Sequence, residues 1–272
     1  MEVYFYGWKR LYRGDNKVIK SATSGVPFPM TVRRNRNKCN VNPALCFLNP
    51  KEVHQALVNN SEVKKWLDFI SNHYTPPTRK ILLIYPCSKE KPYYNSRSYK
   101  KLFKTLQALG DLRKEVHLVT ISEPFGIVPE EFYGKKCEWH DWEASWYECP
   151  GLMPWWCNKY GQTYSVEIAN ECINILADYV AKFLIKAKCK YSHIIAFVRS
   201  FTSNLHITDG LVHRKILERA SYRAAVPIKV LPPREIVSEI VEKSGRYGWD
   251  MQGVAHPIAQ NYLLRYLRGL LE

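Results

Sequence analysis

Thirteen residues concentrate the reactive groups of this chain: Pro86-Cys87-Ser88-Lys89-Glu90-Lys91-Pro92-Tyr93-Tyr94-Asn95-Ser96-Arg97-Ser98. Two prolines restrict the backbone around one thiol, two lysines, a carboxylate, two tyrosines and three serines. Cations beside a thiol favour its thiolate, the nucleophilic form, so Cys87 with Lys89 and Lys91 reads as a candidate for covalent chemistry. The plainer reading is a rigid, solvated crossover, with Cys87 packed as a small hydrophobe under a strand end. In that case a carboxylate, Glu123 or Glu148, would do the proton transfer.

The elements that must hold this loop are legible on both sides. Ile81-Leu82-Leu83-Ile84-Tyr85 is a continuous apolar run, as expected of a strand buried on both faces. Tyr99, Leu102, Phe103, Leu106 and Leu109 recur at three and four residues, which predicts a helix with Ser98 as N-cap and Gly110 as its stop. Further strands are expected at 116–121, running into Ser122-Glu123-Pro124, at 193–198, running into Arg199, and at 226–231. A helix is expected from about Ser165 to Lys186 between the second and third, and an amphipathic helix closes the chain.

Strands alternating with helices predict an α/β fold with a parallel sheet and right-handed crossovers. All strand-end loops then share one edge, which brings Cys87, Lys91, Glu123 and Arg199 toward a common cleft. The Tyr74–Thr78 stretch, with two adjacent prolines, divides an N-terminal extension (1–75: a strand, a basic loop and short helices) from an α/β domain (76–272). Within the latter, residues 134–163 read as an irregular Trp- and Cys-rich insertion forming a wall of the cleft, with Trp155 placed to stack on a ligand.

Forty Lys+Arg against 25 Asp+Glu leave a formal charge of +15, which favours a polyanionic partner. Arg33, Arg34, Arg36 and Lys38, interspersed with Asn, are candidates for phosphate contact. An apolar share of 46% excludes a disordered chain, and the sequence shows neither a leader nor a long apolar run, so a cytoplasmic protein is expected. Eight cysteines without a C-x-x-C pair argue against a zinc ribbon and a disulfide framework, so no metal and no cofactor are expected. Cys137, His140, Cys149 and Cys157 match no standard ligand spacing and are read as a satellite core, while His206, His213 and His256 are read as surface or capping residues.

Pro86-Cys87, three residues, Lys91-Pro92-Tyr93, two residues and Ser96 resemble the signature of the archaeosine synthase family. That pattern ends with a histidine where this chain has Tyr99. The likeness extends through Asn59-Ser61-Glu62-Val63-Lys64-Lys65-Trp66, Tyr74-Thr75-Pro76-Pro77 and Ile121-Ser122-Glu123-Pro124-Phe125-Gly126, and more faintly Tyr147-Glu148-Cys149-Pro150. The resemblance implies a three-layer α/β domain similar to uracil-DNA glycosylase. It also implies addition of free lysine, through its side-chain amine, to the nitrile of 7-cyano-7-deazaguanine at tRNA position 15. A radical SAM partner enzyme would then cleave the adduct.

On that reading Cys87, Lys91, Tyr93, Glu123 and Glu148 carry the chemistry, with Tyr93 a donor to the developing imide nitrogen. Ser88, Ser96, Ser122, Arg199 and Trp155 bind substrate, and Arg33, Arg34, Arg36 and Lys38 bind tRNA. The family usually adds a transglycosylase-like barrel and a small RNA-binding domain, for which 272 residues leave no room, so either this chain's own basic surface or other chains would serve. A different class, a non-catalytic tRNA-binding accessory subunit, fits the same composition. DNA base excision rests on fold analogy alone.

Overall fold

The computed structural model describes residues 45–272 except 89, 134–135, 138–139, 144–146, 150 and 206–209, and gives only the backbone of 136–137 and 140–143. The apolar run becomes β1 (Arg79–Pro86), with Ile81 through Tyr85 wholly buried at the centre of a five-stranded sheet. Strand order is β3-β2-β1-β6-β7, with β2 (Val116–Ser122), β6 (Tyr191–Phe197) and β7 (Lys229–Leu231) parallel to their neighbours.

The expected all-parallel sheet is corrected at its edge. β3 (Gly126–Pro129) runs antiparallel to β2, so the sheet is mixed. Its four residues are too short to show a strand period, and the reversal depends on Gly126 at φ +63°, where a Cβ would also crowd Leu67.

Helices α1 (Pro50–Asn59), α2 (Ser61–Asp68), α5 (Val166–Ala187) and α6 (Val212–Ala224) pack together over one face. Over the other lie α3 (Arg97–Gln107), α7 (Arg234–Gln252) and α8 (Pro257–Leu271). Right-handed crossovers require this split: the chain moves one way from β1 to β2 and the opposite way from β2 to β6 and β7. Trp66 of α2 is fully buried, and its Nε1 donates to the carbonyls of Phe125 and Ile127 at 3.0 and 3.2 Å, tying residues before the proline linker to the β3 edge.

The stretch read as irregular insertion holds a short ribbon, β4 (Lys136–Cys137) with β5 (His140–Glu143), and the helical turn α4 (Pro154–Lys159). Helices α6 and α7 add two elements to a stretch where the sequence pattern had been read only for strands and isolated histidines. Among the described residues no helix is long and apolar enough to cross a membrane.

Candidate active site

Cys87 is the first residue beyond β1, and its N–H donates to the carbonyl of Ile121 at 2.9 Å, which extends the β1–β2 pairing by one step. Glu123 is the first residue beyond β2, so adjacent strand ends set the two side by side. The Cys87 thiol donates to Glu123 Oε2 at 3.7 Å and lies 3.6 Å from His213 Nε2. His213, in the first turn of α6, meets Glu123 Oε1 at 3.2 Å. Glu123 is buried, and Cys87 and His213 are half-buried.

Burial disfavours the His213 cation, but the attraction and hydrogen bond of Glu123 and the contacts to Cys87 together outweigh it, and the pKa rises to about 10. Burial acts the opposite way on Glu123, and the His213 and Lys91 cations more than offset it, so its carboxyl is held below the usual range. At neutral pH the site is therefore an imidazolium–carboxylate pair with a thiol against both members. This arrangement contains a proton acceptor, a proton donor and a sulfur nucleophile within one contact shell.

Lys91 is buried beside this cluster, its Nζ 4.6 Å from the Tyr147 ring centroid and 5.7 Å from that of Tyr93. Desolvation lowers its pKa, partly countered by Cys87, Cys149 and Glu123. The Tyr93 and Tyr147 hydroxyls meet at 2.5 Å, and Tyr147 donates to Ser122 Oγ. Burial pushes both phenols up, so they remain protonated. Tyr93 is wholly buried with its hydroxyl engaged by Tyr147.

Ser88 donates to Ser96 Oγ at 2.6 Å, which closes the loop on itself before α3 begins at Arg97. Tyr99, standing where the family pattern has histidine, is wholly buried, and its hydroxyl bonds Thr120 and the Pro86 carbonyl. The imidazole of this site comes instead from α6. Reading His213 as a surface residue is thereby corrected: the helix that aims it inward follows a stretch with no legible strand or helix pattern.

Arg199 is not brought to the cluster. Its Nη2 donates to the carbonyls of Trp249 and Asp250 at 3.2 and 2.5 Å, so it caps the end of α7, with the guanidinium over the Trp249 ring. Burial lowers its pKa, with Asp250 opposing. Glu148 is buried, and its backbone pairs with Leu45 and Phe47. Trp155 stacks on Trp156 at 4.2 Å and is 45% exposed. Arg33, Arg34, Arg36 and Lys38 lie outside the described residues.

Of the four residues weighed as an unusual zinc set, Cys157 donates to the Leu48 and Gly151 carbonyls, and burial raises the pKa of both Cys149 and Cys157. Among the described residues the group suited to a metal is a different one, Cys87, Glu123 and His213. Bonds of about 2.0–2.3 Å in a tetrahedral zinc site imply donor separations of about 3.3–3.7 Å. With Glu123 Oε2 as the carboxylate donor, the separations of 3.3, 3.6 and 3.7 Å fit that triangle.

The class defined by this fold and site is an α/β domain whose strand-end loops assemble a thiol, a carboxylate and an imidazole. A family described as a domain of unknown function, DUF5591, matches residues 63–136, which include the Cys87 loop and Glu123. The chain is 38% identical over 84 residues to archaeosine synthase subunit alpha of Thermococcus kodakarensis, covering 29% of this chain and 14% of that protein. It is 35% identical over 92 residues to the Thermoplasma acidophilum subunit alpha, covering 34% of this chain and 16% of that one, and 44% identical over 70 residues to that of Methanosarcina acetivorans, covering 26% and 11%. The resemblance to the archaeosine synthase family is thus shown, and the chain spans about a sixth or less of the length of these relatives. A crystal structure titled as AF0587, a protein of unknown function, overlays with a TM-score of 0.42 and 18% identity over 75% of this chain and 49% of that one.

Proposed function

We propose that this protein is a tRNA-modifying enzyme of archaeosine formation, and that the Cys87–Glu123–His213 cluster adds lysine to the nitrile of 7-cyano-7-deazaguanine in tRNA. The observation that carries this reading is the convergence of a nucleophile with a base and an acid within 3.7 Å. The loop that supplies the nucleophile is the one whose motif resembles archaeosine synthases.

A nitrile is a weak electrophile, so the site must both deliver a nucleophile and protonate the nitrogen. In the proposed sequence Glu123 accepts the thiol proton and Cys87 forms an S–C bond to the nitrile carbon. A π pair moves to nitrogen, which takes a proton from His213, giving a thioimidate. The lysine side-chain amine then attacks the same carbon. The C–S bond breaks, the attacking amine gives up a proton to His213, the thiolate takes back the proton held by Glu123, and an amidine remains. Lys91 stands beside the cluster as a further cation. The proposal keeps the finer fold expectation, a sheet similar to that of uracil-DNA glycosylase, along with free lysine as co-substrate, no resident cofactor, a cytoplasmic setting and a radical SAM enzyme acting next.

The test is mass spectrometry of nitrile-bearing tRNA incubated with the protein and lysine. The expected result is a mass gain equal to lysine, lost in Cys87→Ala and reduced by two or more orders of magnitude in His213→Ala, since general acid catalysis contributes about 10²–10⁴-fold. Full adduct formation by Cys87→Ala and Lys91→Ala would point to the accessory, tRNA-presenting role instead.

A further inference from the structure

Positive charge is spread unevenly over the helices. Helices α1, α2, α5, α6 and α7 each mix basic with acidic residues, often as ion pairs such as Arg223–Asp178 and Lys243–Glu239. Helix α3 carries Arg97, Lys100, Lys101 and Lys104 and no acidic residue, and α8 carries Arg265 and Arg268 and none. Among the described residues Arg97, Lys100, Lys104 and Arg265 form no ion pair, and all are exposed.

The two helices present one surface. They pack against each other, Arg268 donates to the Ala108 carbonyl just past the last turn of α3 at 2.7 Å, and Lys101 donates to the Ala255 carbonyl just before α8 at 3.0 Å. Arg97, Lys100 and Lys104 are spaced by three and four residues and so line one helix face over about 10 Å. That face begins where the Cys87 loop ends, with Tyr94 47% exposed at the junction.

We propose that the α3–α8 face binds the phosphate backbone of tRNA and leads the strand to the Cys87 cluster. The inference rests on the tRNA reading above and adds the surface that reading lacks within the described residues. A row of unpaired cations with no acidic residue in either helix is what a polyanion selects, and a mixed face would repel phosphate at each carboxylate.

The experiment is fluorescence anisotropy of a labelled tRNA transcript across a salt series. It compares the wild type with Arg97→Gln/Lys100→Gln/Lys104→Gln and, as a control, Lys182→Gln/Lys243→Gln on the mixed helices. Wild-type binding should weaken with salt, and the α3 variant should lose about a hundredfold in affinity, with its log–log salt slope shallower by about 2–3, at roughly 0.7–0.9 per phosphate contact. The control should bind as wild type does, and all three should share one melting temperature. An α3 variant that binds like wild type overturns this surface and leaves the tRNA reading standing. A wild type that binds no tRNA overturns both, and binding only to anionic phospholipid vesicles through the same residues reassigns the face to a membrane.

Discussion

The electrostatic centre of the site is a single contact, His213 Nε2 to Glu123. Removing the carboxylate charge takes away the largest influence that raises the imidazole's pKa, so in Glu123→Gln the His213 pKa should fall from about 10 toward its ordinary 6.5. NMR titration of the imidazole reads this, and an unchanged pKa would mean that Glu123 is not its partner. The pair also shapes stability. His213 has its pKa raised on folding, so its contribution is complete below 6.5 and disappears as pH climbs through about 10. Glu123 has its pKa lowered, so its contribution is complete above 4.5 and is lost as pH drops through the depressed value. Wild type should therefore gain most over Glu123→Gln between about pH 4.5 and 6.5 and lose that advantage toward pH 10, as read from urea unfolding at stepped pH. The same donor triangle should take one Zn²⁺, blocking the acid–base pair. Calorimetry should show one equivalent for wild type and none for His213→Ala, and chelation should restore adduct formation in the wild type.

At the scale of elements, the reactive loops depend on the β2–β3 edge. Trp66 clamps that edge through two carbonyls and fills the space beneath it, so Trp66→Ala should cost about 3–5 kcal/mol in urea unfolding. Gly126→Ala places a Cβ at φ +63° and 3.3 Å from Leu67 Cδ2, which should cost about 1–2 kcal/mol and disturb the turn that carries Glu123. A Gly126→Ala variant with wild-type stability would show that the turn tolerates a side chain. The elements differ in how visible they were. The β1 run and the α5 stripe are long and apolar, and periodicity finds such segments; β3 is four residues long and is held by its neighbour rather than by its own pattern.

Taken whole, the molecule is a mixed sheet between two helical layers, with the Cys87–Glu123–His213 cluster at the carboxyl ends of β1 and β2 and its least compensated positive charge on α3 and α8. The sequence by itself determined the α/β class, the alternation of strands with helices and the Cys87 loop, because each is written in contiguous residues whose spacing carries the signal. It also brought Cys87 and Glu123 together, since neighbouring parallel strands end at the same edge. Only the tertiary structure decided that His213, 126 residues from Cys87, joins the cluster, while Arg199 turns away to cap α7 and Tyr99 packs into the core. The physical reason is that a side chain's direction follows from the packing of the element beneath it. The succession of strands and helices along the chain is legible from local pattern, but the aim of a helix's first turn depends on everything that helix touches.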